Sequence, residues 1–219
     1  MAAVAAGRTA GRFGRPAFAA ICMNPLEAAL RRATTDINKL GYGWGLVGGF
    51  AVSARSTPRF THDIDLAVAV ADDAAAESLV RMLFEAGYAM YASVEHDNGR
   101  LATIRLRRAF DGVPILIDLL FASSGIEPEI AAMAEELEII PGLSLPVAMT
   151  GHLIALKLLA RDDATRPQDL ADLQALLSAA SASDIREARK AVRLITERGY
   201  QRGRNLEADL DALIERQSA

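Results

Sequence analysis

Leu26, Leu30, Ile37 and Leu40 recur at helical spacing in a stretch that opens on Asn24-Pro25-Leu26-Glu27 and closes at Gly41. Asn24 is a capping residue type, Pro25 suits the first helical position and Glu27 stands three residues after the cap, so the pattern predicts a helix from Pro25 to Leu40. The apolar run Trp44-Gly45-Leu46-Val47 reads as a strand, broken by a Gly48-Gly49 turn and followed by a short helical stretch from Phe50 to Arg55. After the loop Thr57-Pro58-Arg59-Phe60-Thr61, residues 62–70 alternate. Asp63, Asp65, Ala67 and Ala69 share one face of the predicted strand and Ile64, Leu66, Val68 and Val70 the other, so both aspartates project the same way.

Asp72 or Asp73 can cap a helix running to Gly87, and strands are expected over 88–93, 101–108 and 113–121. Asp111-Gly112 between the last two is a strong signal for a two-residue hairpin turn. From Met149 onward the spacing is helical: Thr150 is expected to cap a helix to Ala160, a second covers 168–177, Ser183 caps a third ending at Gly199, and a fourth spans 206–216. The fold class expected is α+β, a mixed-sheet core over residues 23–147 followed by a helical C-terminal domain over 148–219, with the active site in the cleft between them.

Composition narrows the function classes. With 51% hydrophobic residues in 219 the chain can bury a proper core, and a formal charge of −4 argues against a polycation that coats nucleic acid, so any nucleic-acid surface must be local. The single cysteine, Cys22, forbids an intrachain disulfide, and the chain lacks a Cys/His cluster of the structural zinc type; a reducing cytoplasm is the expectation. Charges interrupt every apolar run before membrane-spanning length, so no membrane partner is expected. Residues 1–22, rich in Ala and Gly with Arg8, Arg12 and Arg15, are read as a disordered tail outside the fold, with a transit peptide as the alternative.

The informative constellation is Gly48-Gly49, thirteen residues, then Asp63-Ile64-Asp65. Glycines after a strand let backbone approach a phosphate, and the start of the following helix offers free amide donors. Two carboxylates on one strand face can hold Mg²⁺ or Mn²⁺ through oxygen ligands. Asp118 interrupts the apolar strand Ile115-Leu116-Ile117-Asp118-Leu119-Leu120 and is the candidate third ligand. Like charges about 4 Å apart at an effective dielectric near 20 repel by roughly 4 kcal/mol, so such a cluster calls for a cation. Taken singly, each aspartate favours a bland reading, Asp63 and Asp65 as the solvent face of an edge strand and Asp118 as a core acid bonded to backbone; their joint occurrence with the glycine pair shifts the balance.

Together these residues resemble the nucleotidyltransferase superfamily of the DNA polymerase β type, whose pattern is Gly-Gly or Gly-Ser, a gap, Asp-x-Asp and a third Asp on a later strand. Leu46-Val47-Gly48-Gly49-Phe50-Ala51-Val52 with Arg59-Phe60-Thr61-His62-Asp63-Ile64-Asp65-Leu66 is similar, more narrowly, to the AbiEii-type toxins of toxin-antitoxin and abortive-infection systems. A second match runs from His152 to Arg161 and from Arg166 to Leu173, resembling that family's lysine motif and following aspartate motif. The resemblance implies Asp63, Asp65 and Asp118 as metal ligands and catalytic residues, with Gly48, Gly49, Lys157 and Arg161 at the nucleoside triphosphate. Read from the residues alone, Lys157 can equally pair with Asp169 or Asp172 across a helical hairpin; Asp169 stays open between the two readings and Asp172 reads as structural. Gly49 stands where many members carry serine, so a phosphate contact there is expected from backbone amides or Ser53.

Other residues are weighed against plainer roles. Between Ser181 and Arg204 lie seven Lys/Arg and three Asp/Glu, with Arg186, Lys190 and Arg193 on one helical face, a stripe that suits RNA phosphates or plain solvation. His62, His96 and His152 are assigned no catalytic role, and Trp44 and Tyr42 are read as core packing. The expected activity is Mg²⁺-dependent transfer of a nucleoside monophosphate from a nucleoside triphosphate to an acceptor, RNA or a tRNA end first, in a toxin held by a cognate antitoxin protein. The alternatives are a protein or small-molecule hydroxyl as acceptor, or a nucleotide-binding or interaction module with little turnover.

Overall fold

A computed structural model describes residues 24–96, 100–162 and 164–218; the tail expected over 1–22, with Cys22, lies outside the described residues. Helix α1 (Pro25–Leu40) forms as its pattern predicts: the Asn24 side chain accepts from the Leu26 amide, Gly41 takes φ 75 at the C-cap, and Ala29, Leu30, Ala33 and Ile37 are buried. Strand β1 (Trp44–Val47) runs directly into α2 (Gly48–Arg55), so the glycine pair is the helix's first turn rather than a separate turn. Strand β2 (Asp63–Val68) and helix α3 (Asp73–Glu85), capped by Asp72, follow. Next come β3 (Ala89–Glu95), β4 (Leu101–Phe110) and β5 (Val113–Leu120). Asp111 and Gly112 join the last two with φ 49 and 79, the left-handed pair that a two-residue hairpin needs.

Three elements were not anticipated: α4 (Glu127–Met133), β6 (Glu135–Ile140) and β7 (Leu143–Val147). The run from Glu135 to Glu138 carries three glutamates, which masks the strand period, and Pro146 argues against a strand in any local reading. The sheet has seven strands in the order β3-β4-β5-β2-β1-β7-β6. β2 lies parallel to β5 over five residue pairs from Asp63–Leu116 to Ala67–Leu120, and antiparallel to β1. β7 joins β1 in parallel at Leu46–Val147 alone.

The two faces of the sheet carry different loads. Ile64, Leu66, Ile104, Leu106, Ile117 and Leu119 form the apolar face, and Leu66, Leu106 and Leu119 are wholly buried, each worth roughly 1.5–3 kcal/mol. Helix α1 packs on β4 and β5 on this side, where Arg108 reaches Asp36 of α1 at 3.7 Å. The opposite face carries Asp63 and Asp65, and α4 covers its far end: a Cβ at Gly45, which pairs with Ala67, would meet Ile130 at 3.1 Å and Ala134 at 3.3 Å.

Helices α5 (Thr150–Ala160), α6 (Pro167–Ala179), α7 (Ala182–Glu197) and α8 (Leu206–Ser218) complete the chain. Two caps differ from expectation. Thr150 is the first residue of α5 after Met149, and Ser181 caps α7 in a reciprocal pair with Asp184, the three-residue spacing of a capping box, while the Ser183 hydroxyl bonds Ser181. α5 contacts α2, α6, α7 and α8, so it is the hub that ties this bundle to the sheet. Its approach to α7 is close: a Cβ on Gly151 would fall 2.7 Å from both the Ala188 amide nitrogen and the Asp184 carbonyl oxygen. Backbone cannot yield there as a flexible side chain would. Gly151→Ala is therefore expected to lower stability by about 2–3 kcal/mol, measured as a shift in the urea unfolding midpoint with unchanged slope.

Candidate active site

Asp63 and Asp65 leave β2 on one face, as the alternation requires, and both are half-buried. The parallel register sets Asp65 directly opposite Asp118 on β5. Adjacent strands run about 4.8 Å apart, so these two carboxylates are neighbours, and Asp118 is only 7% exposed. Burial and the Asp118 charge, with a smaller push from Asp63, raise the Asp65 carboxyl to about 6, while Lys157 and Arg105 pull the other way. Three carboxylates and a lysine thus meet across one patch of sheet.

Gly48 closes against this patch. It takes φ 63, and a Cβ there would fall 1.9 Å from Asp65 Oδ2, so any side chain would displace the carboxylate itself. The N-terminus of α2 has no side-chain cap, which leaves its amides beside Asp65. A Cβ on Gly49 would fall 2.5 Å from Thr61 Oγ1, so the space a serine would need at this position is filled by the Thr61 hydroxyl. Ser53 does not face the carboxylates: its Oγ donates to the Arg59 carbonyl and accepts from the Arg59 amide, both at 3.2 Å, pinning the loop before β2. Thr61, which sequence reasoning passed over, is the hydroxyl beside Gly49.

Lys157 reaches the patch from α5 while its ammonium lies 2.8 Å from Asp169 Oδ1 and 2.8 Å from Asp172 Oδ2. Both readings of this residue therefore describe one position, since an ammonium has three donors and these carboxylates engage two. Arg59 pairs with Asp172: Nη2 donates to Oδ2 at 2.8 Å, and Nε lies 2.6 Å from Oδ1 as an ion pair without hydrogen-bond geometry. Burial pushes the Asp172 carboxyl up, but hydrogen bonds from Arg59, Lys157 and Gln168 outweigh it and hold the group below its ordinary range. Arg166 pairs with Asp169 at 2.8 Å. Arg161 ends α5 one turn beyond Lys157, where its carbonyl accepts from Arg204 at 3.3 Å.

Arg105 is the second residue that went unnoticed. It donates through Nε at 2.7 Å and Nη2 at 2.6 Å to the two oxygens of Asp118, a bidentate pair across the β4–β5 register. A signal for it existed, because a two-residue turn at Asp111-Gly112 makes 110 face 113 and hence 105 face 118. As these side chains stand, the described residues contain no group of three or more His, Cys, Asp or Glu side chains arranged to hold a metal ion. Both oxygens of Asp118 face the Arg105 guanidinium.

The remaining assignments sort by contact. Trp44 donates to Asn38 Oδ1 at 2.7 Å and Tyr42 to the Ala75 carbonyl at 3.3 Å, so both serve packing. His152 is buried near Glu187, His96 bonds the Ala122 carbonyl, and exposed His62 packs edge-on against Phe60. Of the basic residues between Ser181 and Arg204, Arg198 forks onto Glu129, Arg202 donates to the Ser123 carbonyl and Arg189 pairs with Asp211, whereas Arg186, Lys190 and Arg193 stay exposed. A cavity of about 700 Å³, lined by residues including His96, Arg100, Glu127, Arg198 and Tyr200, includes none of Asp63, Asp65, Asp118 or Lys157.

The raised Asp65 value has a consequence for stability. Between its ordinary value of 3.8 and about 6 the folded state keeps a proton that the unfolded chain releases, so stability falls as pH rises through that window. By neutral pH the cost is complete, on the order of 1–3 kcal/mol. Asp65→Asn is expected to make the metal-free protein more stable than wild type at pH 7.5 and no more stable at pH 4, read from urea unfolding at the two pH values.

Comparison with known proteins bears on the family of the chain. A family model described as "Nucleotidyl transferase AbiEii toxin, Type IV TA system" matches residues 30–219. No curated protein matches the sequence. Among solved structures, the antibiotic-resistance factor ANT(2'')-Ia in solution is 18% identical, with 87% of this chain and 94% of that chain covered at a TM-score of 0.44. A crystal structure of ANT(2'')-Ia with adenylyl-2''-tobramycin is also 18% identical, covering 87% and 97% at a TM-score of 0.43. Likeness at that level carries no argument about substrate, whereas the family match spans nearly the whole described chain. The chain belongs to the AbiEii family of nucleotidyltransferase toxins.

Proposed function

We propose that this nucleotidyltransferase moves a nucleoside monophosphate from a nucleoside triphosphate to a hydroxyl on RNA, with Asp63, Asp65 and Asp118 as the ligands of a divalent cation. The observation that carries the reading is the register of β2 on β5, which sets Asp65 beside Asp118 on the face that Asp63 shares. The donor set fits Mg²⁺ or Mn²⁺: the ligands are hard carboxylate oxygens, and burial together with the neighbouring carboxylate charges raises Asp65 to about 6. A bound divalent cation would supply charge neutralisation at the phosphates and acidify the attacking hydroxyl.

In this reading the chain's own groups position the reactants. The uncapped amides of α2 at Gly48 and Gly49, with the Thr61 hydroxyl beside them, receive phosphate oxygens, and the remaining Lys157 donor takes another. The acceptor oxygen bonds to the α-phosphorus, the bond to the pyrophosphate oxygen breaks, and the acceptor proton passes to Asp118. Asp169 and Asp172 orient Lys157 rather than touch substrate. An RNA acceptor is supported by Arg107, exposed on β4 two residues from Arg105 and on the carboxylate face, and by the exposed Arg186, Lys190 and Arg193 on α7. A cognate antitoxin protein is the regulatory partner in this reading.

Label transfer tests it. Purified protein with Mg²⁺ or Mn²⁺, each α-labelled nucleoside triphosphate and total cellular RNA is expected to label RNA, and Asp63→Ala, Asp65→Ala and Asp118→Asn to lose the signal by roughly 10²-fold or more. Label in protein or in a small molecule would move the acceptor, and folded protein inactive with every nucleotide would favour a binding module.

A further inference from the structure

The Arg105–Asp118 fork does more than fill a strand face. Asp118 is 7% exposed and both its oxygens accept from one guanidinium, at 2.7 and 2.6 Å. The Arg105 side chain is 38% exposed and keeps a route to solvent. The Asp63 and Asp65 charges also act on the guanidinium, which places it within the field of the whole carboxylate cluster. A cation is thus already present at the position where the third carboxylate would meet a metal ion. Arg107 offers an internal contrast: it lies on the same strand and face, opposite Leu116, and is exposed.

We infer that Arg105 is a built-in competitor for the divalent cation: it occupies Asp118 in the metal-free protein, and a third carboxylate becomes available to the metal only when this pair opens. The inference rests on the reading of Asp63, Asp65 and Asp118 as a cation site, and it adds a residue that sets how tightly that site loads. A guanidinium cannot shed its proton, so the pair opens by displacement of the side chain and not by titration. The arrangement keeps three crowded carboxylates compensated without a metal, and it weakens cation binding by the free energy of the fork. Arg105 acts through Asp118 and is a positioning residue.

The test is Mn²⁺ binding to the full chain, read from the free-ion electron paramagnetic resonance signal without nucleotide, for wild type, Arg105→Gln, Arg105→Lys and Arg107→Gln. Arg105→Gln is expected to bind Mn²⁺ about tenfold more tightly or better, a factor equal to about 1.4 kcal/mol. Its melting temperature should fall without metal and recover with it. Arg105→Lys keeps the charge but not the fork and should lie between the two, deciding the matter if the glutamine variant does not fold. Arg107→Gln should match wild type. Equal binding by wild type and both Arg105 variants overturns the inference and leaves the cation site standing. An equal gain from Arg105→Gln and Arg107→Gln overturns it too, because bulk charge would then explain the effect. No Mn²⁺ binding by any variant removes the cation site, and the inference with it.

Discussion

Everything at the candidate site depends on one pairing, the parallel alignment of β2 with β5 that sets Asp65 opposite Asp118. Parallel neighbours in register place like residues side by side on the same face, so an aspartate on each strand means two charges within a strand spacing. Such a pair costs free energy unless a proton, a guanidinium or a metal ion shares it. Below about pH 6 a proton on Asp65 does so, and at every pH Arg105 forks Asp118. An apolar face behind the strands, with Leu66, Leu106 and Leu119 fully buried, holds the register against this repulsion.

The helical bundle is joined to that patch by the same kind of contact. Lys157 extends from α5 toward Asp65 while Asp169 and Asp172 of α6 hold its ammonium, and Arg59, from the loop that feeds β2, locks onto Asp172. Sheet loop, lysine helix and aspartate helix therefore form one continuous charge network. Arg198 on Glu129 and Arg202 on the Ser123 carbonyl tie the far end of the bundle to α4 and the chain after β5. Several basic residues that look in sequence like a nucleic-acid stripe are thus structural clasps, and only part of the stripe remains exposed.

Legibility of the fold followed the strength of local signals. α1, β1 and the β4–β5 hairpin were readable because caps, an apolar run and an Asp-Gly turn all specify geometry over a few residues. α4, β6 and β7 were not, since glutamates and Pro146 obscure their periods and β7 is held by pairing with β6 and one contact with β1. The true cap of α7 was missed because two serines two residues apart compete, and only the spacing to Asp184 separates them.

By itself, the sequence determined that Asp63 and Asp65 leave one face of a strand, that glycines precede a helix start, and that Asp118 sits within an apolar strand. These are consequences of backbone periodicity and need no knowledge of distant residues. Tertiary structure alone decided that Asp118 lies beside Asp65, that Thr61 and not Ser53 fills the space next to Gly49, and that Lys157 is shared between two aspartates. The Arg105 fork lies between the two: the hairpin turn specifies its register, but its charge gains meaning only where β5 meets β2. The physical reason is that strand pairing across a long crossover is set by burial of a whole sheet face, a quantity summed over the fold and written in no single segment.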